Sequence, residues 1–162
     1  MTLFVKFLHV ITAMWFIGGL LGRTLTMWQA SRTRDVLMVS TLVRLGGYFE
    51  RWMVIPGSFA VLGFGLVTAW LARWPLLGSL QGIPSNWLLV STVLYLSMIP
   101  LIRFVFLPRG KVFEQALTSA LALGSVTSEL SAAFRDRVVG AAHVYELATV
   151  VLITWLMVAK PF

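Results

Sequence analysis

Histidines inside long apolar segments are candidates for chemistry, and the first of two such residues is His9. It lies in the apolar run Thr2–Gly22, with Lys6 three residues before it. Since residues i and i+3 share a helix face, Lys6 and His9 are predicted to lie side by side. Ionisable groups are costly in a membrane and usually functional there. A neutral imidazole can use one nitrogen for a hydrogen bond and offer the other to a metal such as haem iron.

Two interpretations of His9 are open from the residues alone. In the first, His9 is an axial ligand of haem b, and Lys6 supplies a nearby positive charge for a propionate or a proton path. In the second, the ring is hydrogen-bonded to a backbone carbonyl or a hydroxyl group across a helix interface, because a buried polar group needs such a partner. The histidine then has a packing role.

His143 and Glu146 form a second polar pair within an apolar segment. Their spacing of three residues places them on one helix face. The pair is compatible with a proton relay, a metal-binding pair or a polar contact between helices. Di-iron bundles use Glu-x-x-His twice together with two further carboxylates. Here the order is reversed and occurs once, so a di-iron site is not expected.

The composition is that of a membrane protein. Hydrophobic residues make up 59% of the 162 residues and charged residues only 12%, whereas soluble domains are about half apolar and about a quarter charged. The absence of cysteine excludes disulfides, zinc–thiolate sites and iron–sulfur clusters. The net charge is +7. The basic residues lie beside apolar spans and form no basic–aromatic recognition motif, so nucleic-acid binding is not expected.

Four apolar segments are long enough to cross a bilayer, which takes roughly 20 residues each. The predicted fold is an all-α, antiparallel four-helix bundle in a single transmembrane domain, with the lipid bilayer as its surroundings. The predicted spans are Thr2–Gly22, Met53–Ala72, Trp87–Leu107 and Val138–Ala159.

The connections are predicted to contain amphipathic helical segments at the membrane interface. One covers residues 23–52, in which Glu50 is expected to pair with Arg51 or to be solvated. The other covers 112–137, for which a poor fifth span is the alternative. Pro100 is expected to kink the third span, and the sequence Pro108–Gly110 to end it. Gly18 and Gly22 are spaced for close helix–helix approach.

Positive charge predicts the orientation, because cytoplasmic loops are enriched in Lys and Arg. Three basic residues, Lys6, Arg73 and Lys160, lie on the side of the termini. Both termini are therefore predicted outside and the basic connections in the cytoplasm. The ten basic residues on the cytoplasmic side are Arg23, Arg32, Arg34, Arg44, Arg51, Arg103, Arg109, Lys111, Arg135 and Arg137.

This orientation predicts that His9 and His143 do not share one iron. At 1.5 Å per residue, His9 lies roughly 10 Å below the outer end of the first span and His143 roughly 8 Å above the inner end of the fourth. In a hydrocarbon core of about 30 Å, they are separated by roughly 12–14 Å along the membrane normal. A haem bound to His9 would therefore lie near the outer leaflet, without His143.

Two stretches of the sequence carry a resemblance to known families. Lys6-Phe7-Leu8-His9-Val10, continuing to Trp15-Phe16-Ile17-Gly18-Gly19-Leu20, resembles the first helix of small bacterial membrane proteins with a K-x-L-H…W-x-x-G-G pattern. The segment Trp155–Pro161 resembles the closing helix of a predicted bacterial integral membrane family of unknown function. The resemblance implies a location in the bacterial inner membrane.

The first-helix pattern is also distantly similar to HemJ-type protoporphyrinogen oxidases and to CopD membrane domains. The similarity to the HemJ type implies that His9 takes part in haem binding. The remaining spans do not match that group motif by motif. Copper transport is disfavoured because the sequence has no cysteine and no Met-x-Met or His-x-His cluster.

Two functions follow as expectations. The first is a haem-b-binding redox module in which His9 is the ligand. The alternative is a non-catalytic accessory subunit that packs within a larger membrane complex or a homo-oligomer. A transporter is least expected, because four helices without an internal repeat leave little room for a gated path. The sequence specifies no reaction.

Overall fold

The chain folds into long helices, and a computed structural model describes residues 1–82 and 85–161. The first helix, α1, covers Thr2–Arg32. After a short turn, α2 (Val36–Phe49), a π-helical turn (Glu50–Val54) and α3 (Ile55–Leu71) follow one another without a break. Asp35 begins α2 by accepting a hydrogen bond from the Leu37 amide at 2.9 Å, as a helix N-cap does.

The second half of the chain also consists of helices, the last of which begins at a capping aspartate. Asp136 caps the last helix by accepting hydrogen bonds from the first amides of that helix. The elements are a 3₁₀ turn (Gly78–Gln81), α4 (Trp87–Leu96), α5 (Met98–Leu101), a second π-helical turn (Ile102–Phe106), α6 (Leu107–Leu123), α7 (Ser128–Phe134) and α8 (Arg137–Ala159).

Two compact units make up the structure. The first consists of residues 1–72 and 113–134, and the second of the remaining described residues. In the first unit, α1 packs against α2, the π-helical turn and α3. In the second, α4 and the second π-helical turn pack against α8.

The outer surface of the helices is apolar. Phe59 is 70% exposed, Phe104 73% and Val158 82%, which is untenable in water for so many large side chains and normal in lipid. Within residues 1–82 and 85–161, four helical stretches are long and apolar enough to cross a membrane: Thr2–Arg32, Val36–Leu71, Trp87–Leu123 and Ser128–Ala159. The predicted all-α fold with four apolar helices is confirmed.

The helices are longer than the predicted spans. At 1.5 Å per residue, α1 is about 46 Å long, well beyond a hydrocarbon core of about 30 Å. Its last turns and the first turns of α2 pack with α6 and α7 around a buried apolar cluster, which we call the distal cluster. The amphipathic connections therefore bury their apolar faces on one another. The distal cluster consists of Ala30, Val36, Val39, Ala116, Ala120 and Leu130.

The predicted break at Pro108–Gly110 is wrong, because α6 runs through these residues. Proline lacks an N–H and its ring crowds the preceding turn. The π-helical turn immediately before it widens the helix, with the Leu107 amide bonded to the Ile102 carbonyl five residues earlier. That wider turn admits Pro108 without ending the helix. The α-helix is interrupted at Ser97, three residues before Pro100, where the kink is expected.

A π-helical turn also precedes Pro56. Pro56 has no amide to donate to the carbonyl of Trp52, four residues earlier. The indole of Trp15, on α1, donates to that carbonyl at 3.2 Å. A backbone group that the helix cannot satisfy is thus satisfied by a neighbouring helix, as a lipid environment requires.

Glycines bring α1 close to its neighbours. A Cβ atom at Gly19 would lie 2.5 Å from Cβ of Met53, and one at Gly22 would lie 2.7 Å from the ring of Phe49. At Gly18 the nearest atom would be 3.6 Å away, an ordinary contact. The close approach predicted for Gly18 and Gly22 is therefore made by Gly19 and Gly22.

A double-mutant cycle tests the Trp15 contact. Trp15→Phe removes the indole donor and is expected to destabilise the protein by about 0.5–1.5 kcal/mol, measured by unfolding in mixed micelles. In Pro56→Ala the helix regains an amide for the Trp52 carbonyl, so Trp15→Phe should cost less there. Equal costs in the two backgrounds would show that the indole does not serve this carbonyl.

Candidate functional site

The structure gives His9 a definite partner. Its Nδ1 atom lies 3.0 Å from the backbone carbonyl oxygen of Val61 on α3. A carbonyl can only accept, so Nδ1 carries the proton and donates it. The contact is the hydrogen bond across a helix interface that one of the two interpretations of His9 predicted.

Gly65 leaves space for the ring of His9 beside α3. A Cβ atom at Gly65 would lie 3.0 Å from Cε1 of His9 and 3.3 Å from Nδ1. Any side chain there would push the ring away from the Val61 carbonyl. At Gly63, two residues earlier, a Cβ atom would meet nothing within 4 Å. The ring position therefore depends on one glycine and not on its neighbour.

The hydrogen bond leaves the other ring nitrogen in its basic form. With the proton on Nδ1, Nε2 of His9 has a lone pair, and among residues 1–82 and 85–161 no hydrogen bond to it is formed. Metal-binding histidines use the same arrangement, with one N–H donated to a carbonyl and the other nitrogen on the metal. The site can therefore offer one imidazole ligand. Lys6 lies about one turn earlier on α1 and is exposed.

In the second unit, His143 and Glu146 contact each other. Nδ1 of His143 lies 3.3 Å from Oε2 of Glu146, and the imidazole stacks on Phe106 with ring centroids 4.7 Å apart. The neighbouring Tyr145 points elsewhere, with its hydroxyl 2.6 Å from that of Ser97. The predicted pairing on one helix face is therefore present in the structure.

Ion pairs between residues of the described part of the chain join helices at Arg23–Glu50 and at Arg109–Asp136, and sequence reasoning did not find either. Arg23 on α1 contacts Glu50 at 2.5 Å, so Glu50 pairs across the hairpin rather than with Arg51. Arg109 contacts Asp136, the N-cap of α8. The hydrophobic pattern carried no signal for either pair, because the partners are 27 residues apart in the sequence.

Within the described residues, neither histidine lies in a group of side chains large enough to hold a bare metal ion. In the part of the chain that the structure describes, no three His, Asp or Glu side chains gather as a metal site. His9 can therefore serve a metal that brings most of its own ligands, as a porphyrin iron does, better than a bare ion. The His143–Glu146 pair is similarly short of ligands for a bare ion.

Comparison with known families settles the class of the protein. The sequence model of one family, described as predicted integral membrane protein (DUF2269), matches residues 3–161. The chain belongs to this family. DUF2269 membership, together with four apolar helices, makes it an integral membrane protein. The family description names no activity, and no curated protein and no solved structure matches the chain.

The proton on His9 gives a spectroscopic prediction. The DUF2269 chain has two histidines, so ring nitrogen-15 signals in a bilayer sample are few. We expect His9 to be the neutral Nδ1–H tautomer, which is read in His143→Gln, where His9 is the remaining histidine, and which is lost when His9→Gln is added to that variant. Free histidine prefers Nε2–H, so the signal is diagnostic. If His9 gave the Nε2–H tautomer, the Val61 hydrogen bond would be refuted.

Proposed function

We propose that this protein is a haem-b-binding redox module of the membrane, with Nε2 of His9 as an axial ligand. The observation that carries the proposal is the hydrogen bond from Nδ1 of His9 to the Val61 carbonyl. It fixes the tautomer and the ring orientation and leaves a basic nitrogen. The resemblance of the first-helix motif to HemJ-type proteins also supports the proposal.

The residues around His9 have defined tasks in this proposal. The Val61 carbonyl orients the imidazole and makes Nε2 more basic, and Gly65 keeps the space for the ring. Lys6 supplies a positive charge for a propionate. Haem b, when bound, supplies a reversible one-electron couple.

An absorption spectrum of the purified protein, supplied with haem during expression, tests the proposal. We expect a Soret band that His9→Ala abolishes and that added imidazole partly restores, because free imidazole can occupy the vacated position. Gly65→Val should weaken the band by displacing the ring. Gly63→Val is the matched control, because a Cβ atom at Gly63 would meet nothing within 4 Å, and it should leave the band unchanged, as should His143→Gln.

Two results would overturn the proposal. One is a Soret band that survives in well-folded His9→Ala. The other is a colourless wild-type protein after haem supplementation. If the colourless protein co-purifies with larger membrane proteins, the alternative function, a non-catalytic accessory subunit, is favoured, and His9 then has only its packing role.

We also propose a location in the bacterial inner membrane, with both termini outside and the basic connections in the cytoplasm. The asymmetry of Lys and Arg supports this orientation, as does the position of Arg32 and Arg34 at the tip of the first hairpin. A cysteine placed at Thr2 in this cysteine-free chain should react with a membrane-impermeant thiol reagent in intact spheroplasts. A cysteine at Thr33 should react only after lysis. The reverse pattern would invert the topology.

A further inference from the structure

We propose that Arg44, Tyr48 and Arg51, which we call the basic strip, form a binding site for the headgroups of anionic phospholipids. The three residues follow one another at spacings of four and three, so they lie on one face of the continuous helix formed by α2 and the π-helical turn. All three are exposed. The inference depends neither on haem nor on which side of the membrane is the cytoplasm.

The opposite face of this helix packs against α1, and this contact sets the direction of the basic strip. A Cβ atom at Gly22 of α1 would lie 2.7 Å from the ring of Phe49, and one at Gly46 would lie 3.1 Å from Oγ1 of Thr26 on α1. Phe49 and Gly46 therefore face α1. Because successive residues are about 100° apart around the helix axis, the basic strip lies on the side of the helix away from α1.

The uncharged segment that follows places the basic strip at the membrane surface. Residues 52–72 contain no charged side chain, and at 1.5 Å per residue they are about 30 Å long, the thickness of the hydrocarbon core. Arg51 and Arg73 thus mark the two borders of the core. The exposed indole of Trp52 lies at the first border, where tryptophans are enriched. Arg44 lies about 10 Å beyond Arg51, and its long side chain can bend back into a headgroup layer about 5–8 Å thick.

The positive charges of the basic strip are not neutralised by nearby carboxylates. Glu50, which precedes Arg51 in the sequence, is paired with Arg23 on α1. Among the described residues, neither Arg44 nor Arg51 forms an ion pair. The positions three and four residues from each of them, on the same helix face, hold no Asp or Glu. The two guanidinium groups therefore offer their charge and their N–H donors to an anion outside the protein.

An anionic phospholipid fits the basic strip by charge and by chemistry. Arginine binds phosphate through two parallel N–H donors, and the phenol of Tyr48, which is 55% exposed, can donate a further hydrogen bond. Trp52 lies on the core side of Arg51, where the acyl chains of such a lipid begin. A zwitterionic headgroup carries an ammonium group as well, which two uncompensated arginines repel. The basic strip therefore favours lipids with a net negative headgroup.

The depth of the basic strip distinguishes it from the arginines at the tip of the first hairpin. Arg34 precedes α2 and lies roughly 25 Å from Arg51 along the helix axis, beyond the headgroup layer and beyond a Debye length of about 8–10 Å. Arg32 lies over the ring of Trp28, 3.9 Å from its centroid. A soluble polyanion would meet these tip residues first, whereas lipid phosphates are concentrated at the level of the basic strip. This position favours a lipid as the ligand.

Native mass spectrometry of the full-length protein, released from detergent micelles, tests the site by measuring the affinity for single lipids. The probes are anionic phosphatidylglycerol and zwitterionic phosphatidylcholine with the same acyl chains. We expect the wild type to bind phosphatidylglycerol more tightly. Arg44→Gln and Arg51→Gln should each weaken that binding about fivefold, as expected for one arginine near an anionic surface, and leave phosphatidylcholine binding unchanged. Arg34→Gln, which removes the same charge outside the headgroup layer, is the matched control and should have no effect.

Further variants separate the site from net charge and from misfolding. Arg44→Lys combined with Arg51→Lys keeps both charges and should keep the preference for phosphatidylglycerol, and Tyr48→Phe should weaken binding less than either glutamine variant. Equal affinity of the wild type for the two lipids would overturn the proposal, as would an unchanged phosphatidylglycerol affinity in Arg44→Gln combined with Arg51→Gln. An equal loss in Arg34→Gln would refute a local site. Displacement of the lipid by millimolar inorganic phosphate would refute a lipid as the ligand.

Discussion

The backbone carbonyl that Pro56 cannot serve determines how the first hairpin is assembled. In lipid, an unsatisfied carbonyl costs several kcal/mol, so a proline in a membrane helix needs help from another element. Here a π-helical turn relieves the crowding before Pro56, and the indole of Trp15 donates to the Trp52 carbonyl. The same arrangement of π-helical turn and proline recurs at Pro108. Both prolines are thus tolerated inside long helices.

That contact also sets the register that places His9. The two arms of the hairpin run antiparallel, so residues nearer the N-terminus of α1 contact residues nearer the C-terminus of α3. Arg23 meets Glu50, Gly19 meets Met53, Phe16 meets Gly57 and His9 meets Val61. A shift by one helical turn would separate His9 from both Val61 and Gly65. The geometry of the candidate ligand is therefore a property of the whole hairpin.

The apolar helices and both histidine positions could be predicted from the sequence, because hydropathy and spacing within one helix are local properties. Contacts between helices could not be predicted in this way, because they join residues that are far apart in the sequence. Pro108 is typical of a helix end. The π-helical turn that admits it within a helix has no signature in the hydrophobic pattern, so it could not be predicted. Glu50 sits beside Arg51 in the sequence, yet the inserted turn directs it toward Arg23. The distal cluster could not be predicted from the sequence, because its members, such as Ala30 and Ala120, come from distant segments.

The two histidines differ in the partner of Nδ1, and this difference separates their chemistry. The Val61 carbonyl cannot take a proton, so the neutral ring of His9 keeps the proton on Nδ1 and the lone pair on Nε2, as a ligand must. The partner of Nδ1 of His143 is instead a carboxylate oxygen of Glu146, which, unlike a backbone carbonyl, can itself carry a proton. A carbonyl partner thus suits a fixed ligand, whereas a carboxylate partner does not fix the tautomer by itself. A carboxylate in place of the Val61 carbonyl would compete with His9 for its proton, so the carbonyl is the partner that keeps Nε2 available.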